Sequence, residues 1–186
     1  LQNSKESVKY HWKSPVGSRA QGIKELNDPN DAIQQTLRNA ALMKVREPKT
    51  QEEYEKYYDL RWRILRKPWN QPEGSEKDDL EKQSIHLMAC EKGKPLGVGR
   101  VHFNSSKEAQ IRYMAVEEDL QGKGVGAMIL KALEKSAERK GADRIVLNAR
   151  QSAVGFYKKH GYRIVGKAHT LFGVIPHYKM RKNLES

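Results

Sequence analysis

Met114-Ala115-Val116-Glu117-Glu118-Asp119-Leu120-Gln121-Gly122-Lys123-Gly124-Val125-Gly126-Ala127 reads as an apolar strand that passes through a glycine-rich turn straight into a helix. Glycines permit φ > 0 and close approach of a ligand to the backbone, and the first turn of a helix leaves N–H groups unpaired at the positive end of its dipole. The stretch is therefore a candidate phosphate cradle, set against the plainer reading of a tight turn whose glycines serve packing alone. A Walker A loop needs Gly-Lys-Ser/Thr, but Lys123 is followed by Gly124-Val125. A dinucleotide fingerprint needs G-x-G-x-x-G after the first strand of a sheet, whereas the spacing here is G-x-G-x-G deep in the chain. Neither a nucleotide triphosphatase nor a Rossmann domain is expected.

Downstream of the turn, Val125, Met128, Ile129, Ala132 and Leu133 fall on one helical face, so 125–139 is an amphipathic helix stopped by Gly141. A buried strand over 144–147 follows, then a helix over 152–160 capped by Ser152, then strands over 162–166 and 176–180. Upstream, a short strand over 42–45 precedes a helix from Gln51 to about Arg66, which Thr50 caps and Pro68 ends. Apolar runs over 84–91, 95–103 and 109–116 form a meander. The order β α β β β α β α β β predicts an α/β fold with a sheet of mixed direction and helices on its faces.

The 186 residues include 35 Lys+Arg and 23 Asp+Glu, a net charge of +12. Residues 1–42 carry six basic and four acidic side chains, so a net +10 falls on 43–186. The first stretch reads as an irregular arm with a short helix over 31–42, and 43–186 as one domain. No apolar run approaches the ~20 residues of a membrane span, and the polar N-terminus has no signal-peptide core. The lone Cys90 excludes an intrachain disulfide framework and favours a reducing, cytoplasmic setting. With no histidine placed to activate it, Cys90 is no acyl-enzyme nucleophile. His86 and His102, on neighbouring strands without a carboxylate at ligand spacing, are weak evidence for zinc, and no metal is expected.

Gln121-x-x-Gly124-x-Gly126 after Met114-Ala115-Val116 resembles the acyl-CoA-binding signature of the GCN5-related N-acetyltransferases (GNAT). Leu147 to Tyr162, with its Phe156-Tyr157 pair and Gly161-Tyr162 ending, is similar to that family's second cofactor segment. Gly173-Val174-Ile175-Pro176-His177 resembles the ending of its ElaA-like branch. The likeness covers about residues 43–182. It departs at Arg150, where that branch has Gln, and at Leu171-Phe172, where it has an acidic residue; both departures bear on the acceptor.

The resemblance implies a GNAT-like, largely antiparallel sheet with helices on both faces, and an N-acetyltransferase that carries acetyl from acetyl-CoA to a primary amine by direct attack. It places pyrophosphate on backbone N–H groups of Gln121, Gly122, Lys123, Gly124, Val125, Gly126 and Ala127, and the pantetheine arm along Met114, Ala115 and Val116. Asn148, Arg150, Phe156, Tyr157 and Lys159 complete the cofactor set, with Arg150, Lys158 and Lys159 toward the adenosine phosphate. The strand at Val116 donates to the oxyanion and Tyr157 is the general acid. The base stays open between His177 and Glu117 acting through water. Trp69, Asp78, Asp79, Phe172 and His177 are candidates for a small-molecule or peptide amine acceptor, with the acids attracting a cationic amine. The competing reading is a non-catalytic basic module, responsive to CoA or bound to nucleic acid. Monomer and homodimer are equally compatible with the sequence.

Overall fold

The computed structural model describes residues 43–184; the expected arm over 1–42 and its helix lie outside the described residues. The elements there are β1 (Lys44–Arg46), α1 (Gln51–Leu65), β2 (Ile85–Glu91), β3 (Lys94–Ser105), β4 (Glu108–Val116), α2 (Val125–Arg139), β5 (Arg144–Arg150), α3 (Val154–Lys159), β6 (Arg163–Leu171) and β7 (Ile175–Asn183). The strands form one seven-stranded sheet in the order β1-β2-β3-β4-β5-β7-β6. Every neighbouring pair is antiparallel except β4 and β5, as the mixed, largely antiparallel expectation requires.

The helices cover opposite faces, and the alternation of strand side chains decides which face each residue joins. Under α2, Val125, Ile129, Leu130, Leu133 and Ala137 close over Leu87, Ala89, Val101, Ile111, Ile145 and Leu147. The close approach of α2 depends on Gly97 and Gly99: a Cβ at Gly97 would lie 2.7 Å from Ile129 Cδ1, and one at Gly99 2.8 Å from Leu133 Cδ1. Under α1, Tyr57 and Leu60 pack on Met88, Cys90, Val98 and Ala115. Thr50 caps α1 by accepting from the Glu53 N–H at 3.2 Å, and Glu52 and Glu53 occupy the favourable acidic positions of its first turn.

A bulge in β4 adjusts this alternation. The register slips between Val98 opposite Ala115 and Arg100 opposite Arg112, and Tyr113 sits at φ 54. Arg112 and Tyr113 consequently both face α1, as their shared partner Asp78 shows, while Met114 and Val116 pack with the α2 cluster.

Two elements differ from the sequence reading. β5 continues through Arg150, so the chain reverses in a single 3-10 turn, Gln151–Ala153; α3 starts only at Val154, with no side-chain cap from Ser152. The last hairpin is longer than expected because Phe172 and Gly173, at φ 53 and 72, make a tight turn closed by the Val174 N–H on Leu171 O at 3.2 Å. Positive φ at both central residues matches the twist of antiparallel strands and lets them pair close to the turn.

Candidate functional site

β4 and β5 pair only over Glu108–Gln110 against Arg144–Val146. From there neither strand has the other as a ladder partner, and a groove of about 780 Å³ lies between them. Met114, Ala115 and Val116 line one wall and Asn148, Ala149 and Arg150 the other, with Gly122, Gly124, Gly126 and Ala127 at the α2 end and His177 on β7.

The Glu117 N–H bonds Leu96 O on β3 at 3.0 Å. Because successive peptide groups of a strand turn to opposite edges, Val116 and Met114 offer theirs to the groove. The Gln121 side chain donates to Val116 O at 3.2 Å and fixes that segment.

Gly122 (φ 76) and Gly124 (φ 88) hold conformations that side chains rarely adopt. Gly124 is the N-cap of α2, and the Met128 N–H, on Gly124 O at 3.1 Å, is the first to bond back. The N–H groups of Val125, Gly126 and Ala127 have no backbone acceptor among the described residues, and a helix start of this kind binds phosphate oxygens. At Gly126 an added Cβ would touch the Phe156 ring at 3.5 Å and Val116 at 3.7 Å, so the lining is narrow there. Lys123 and Lys158 do not border the groove, and the Val125 side chain is in the core; Lys159 and His160 do border it.

Tyr157 is buried at 9% exposure and borders the groove; burial raises its pKa, so the phenol stays protonated. Among the described residues its hydroxyl donates only to Met114 Sδ, at 3.5 Å, a weak acceptor that a thiolate would outcompete. His177 Nδ1 lies 2.9 Å from Ile175 O. A carbonyl can only accept, so Nδ1 carries the proton and Nε2 of the neutral ring keeps its lone pair. Burial lowers the pKa of His177, more than the Ile175 carbonyl restores, and His169 stacks on the ring at 5.3 Å. Glu117 is engaged elsewhere: Arg63 holds it through two bonds, 2.8 and 3.0 Å, and keeps its carboxyl below the usual range.

The expected acceptor acids are not brought to the groove. Asp78 takes bonds from Arg100, Arg112 and the Tyr113 hydroxyl, and neither it nor Asp79 borders the groove. Trp69 and Phe172 do not line it either; Phe172 stacks near Arg66, 5.6 Å from ring centre to guanidinium carbon. Arg150 is also placed differently from its expected role at the adenosine phosphate. Ala149 packs in the α2 cluster, so alternation turns Arg150 toward α1, where it donates to Leu65 O at 3.1 Å.

A connected set of buried charges under α1 escaped the sequence reading. Arg61 bonds Glu81 and the Glu76 carbonyl, Arg100 bonds Asp78 and Glu81, and both arginines are fully buried. One signal was present: Arg61 shares a helical stripe with Tyr57 and Ile64.

A splayed strand pair, an unpaired helix start and a protonated tyrosine meet on one groove, an arrangement that suits an extended, phosphate-bearing ligand. Residues 54–162 match the family model described as "Acetyltransferase (GNAT) family". The chain is 36% identical over 135 residues to the protein described as uncharacterized N-acetyltransferase YjcF of Bacillus subtilis, covering 73% of this chain and 96% of that one. Among solved structures, Escherichia coli ElaA superposes with a TM-score of 0.63 at 16% identity, over 76% of this chain and 98% of its own. A GNAT family acetyltransferase from Elizabethkingia anophelis, solved with acetyl-CoA bound, gives 0.61 at 19% identity, over 77% and 99%. The chain belongs to the acetyltransferase (GNAT) family. It is an acyltransferase, and the free N–H groups of α2 and the narrow cleft along β4 fit acetyl-CoA as its donor. No helix among the described residues is long and apolar enough to cross a membrane.

Proposed function

We propose that the protein acetylates a primary amine by direct transfer within the groove between β4 and β5. The observation that carries this reading is the placement of Tyr157 Oη and the free edge of β4 on that one groove. Acetyl-CoA supplies an activated acyl group on sulfur. The N–H groups at the start of α2 hold its phosphates, and the edges of Met114 and Val116 pair with its amide-bearing arm as an added strand would.

His177 Nε2, neutral and unprotonated, takes the proton that the amine must lose. The Val116 N–H faces the carbonyl oxygen on which charge builds, a position where one aimed donor contributes about 2.7–4 kcal/mol. Tyr157 gives its phenolic proton to the departing sulfur. Asn148, Phe156 and Lys159 line the cofactor side, and the acceptor enters from the α1 side past Arg66, Arg150 and His177.

Tyr157→Phe keeps the ring and removes the proton. It should lower kcat about 100-fold, within the usual range for a general acid, and leave acetyl-CoA affinity within twofold. Loss of affinity in step with kcat would make Tyr157 a packing residue and refute its assigned role.

A further inference from the structure

Arg66 and Arg150 are the two guanidiniums of the groove that, among the described residues, form no salt bridge with a carboxylate. Arg66 is 8% exposed; its Nε donates to Ser75 O at 2.9 Å and its Nη1 to Leu65 O at 3.1 Å. Arg150 Nη2 donates to the same Leu65 O, so two cations converge on one carbonyl at the end of α1. Among the described residues neither forms an ion pair, and burial makes both charges costly there; Arg61 and Arg112 add repulsion at Arg66, which Tyr113 and the more distant Glu76 do not outweigh, and Arg66 adds it at Arg150. Arg61, Arg100 and Arg112, on the same face, each meet Asp78 or Glu81.

The groove supplies no compensation of its own. Its lining contains Arg66, Arg112, Arg150 and Lys159 and not one Asp or Glu among the described residues. An acceptor with a second positive charge would meet an unfavourable field, and an acceptor with a negative group would complete two half-bonded guanidiniums through charge-assisted, forked hydrogen bonds. Cofactor phosphates have a separate seat at the start of α2, across the sheet. Arg150 is also the cross-strand partner of His177, which puts the base beside the pair.

We propose that Arg66 and Arg150 form an anion subsite for the acceptor, so that the substrate is an amine bearing a carboxylate or phosphate within a few bonds of its nitrogen. This rests on the acetyltransferase reading above. The amine sits at His177 Nε2 while its anionic end spans the two arginines.

The test compares CoA-thiol release from acetyl-CoA with matched acceptors: free amino acids against their carboxamides, and phosphoethanolamine against ethanolamine. The anionic member of at least one pair should show kcat/KM higher by about tenfold or more, the scale of one hydrogen bond to a charged group. Which pair shows the gap separates carboxylate from phosphate. Arg150→Gln and Arg66→Gln should close the gap by raising acceptor KM while acetyl-CoA affinity stays unchanged. Uncharged members turned over as well as charged ones by the wild type, or a fall in acetyl-CoA affinity in both variants, would overturn the proposal. Thermal shifts of the CoA complex with the same pairs separate the two readings. Stabilisation by the anionic members alone, without thiol release, would refute acetyl transfer and support the subsite; equal shifts within every pair would refute the subsite.

Discussion

Beneath α2 the sheet presents Leu87, Ala89, Val101, Ile111, Ile145 and Leu147, whereas beneath α1 it presents Arg100, Arg112, Tyr113, Arg150 and His177 around a smaller apolar patch. The first face needs only volume and a pair of glycines to seat its helix. The second must offset buried positive charge, and it does so for Arg61, Arg100 and Arg112 with Asp78 and Glu81 from the loop after α1. Under the proposal above, the difference divides the tasks between the faces: the apolar one anchors the cofactor cradle, and the charged one reads the acceptor, with Arg66 and Arg150 left for it. The bulge at Tyr113 makes both possible on one strand.

Breaking the charged face should cost most. Arg100→Leu removes the fully buried guanidinium that holds Asp78 and one of the two that hold Glu81, and should destabilise by about 3–5 kcal/mol in urea unfolding. A loss below 1 kcal/mol would mean that Arg61 and Arg112 carry the acids alone. On the apolar face, Leu133→Ala opens a cavity under α2 and should cost about 2–5 kcal/mol.

The faces should also differ in acid. Burial raises the pKa of Asp78 and of Glu81, but hydrogen bonds from Arg100 and Arg61 and the surrounding guanidiniums outweigh it, so both carboxyls lie below their ordinary values in the folded state. Their contribution is complete above the unfolded carboxylate range near pH 4 and is lost as pH falls through that range toward the lowered values. Arg100→Leu should flatten the acid limb of the stability curve, and Leu133→Ala should shift it down without changing its slope. Parallel limbs in both variants would contradict the division. The smallest effect belongs to Thr50→Ala, which removes the cap of α1 and should cost about 1 kcal/mol with no change in either slope.

The site was legible where local chemistry fixes it. The glycine turn, α2 and the Phe156-Tyr157 pair occupy the elements expected of them, because a helix start and a helical stripe are written in consecutive residues. Arg150 was misplaced because its direction depends on β5 running past Leu147 and pairing with β7, which local pattern does not encode. Asp78 resembles any loop acid in sequence; its role comes from Arg100 and Arg112, 22 and 34 residues away. The same holds for Arg61 and Arg100, whose burial is paid for by partners distant in the chain.

Titration calorimetry of acetyl-CoA into the wild type, Gly124→Val and Arg150→Gln tests the division between the faces most directly. A valine at φ 88 must distort the turn that opens α2, whereas Arg150→Gln alters only the α1 side. The account predicts that Gly124→Val loses acetyl-CoA binding by at least about 100-fold, the worth of two charge-assisted hydrogen bonds, and that Arg150→Gln binds it as the wild type does. Comparable losses in both variants would contradict it.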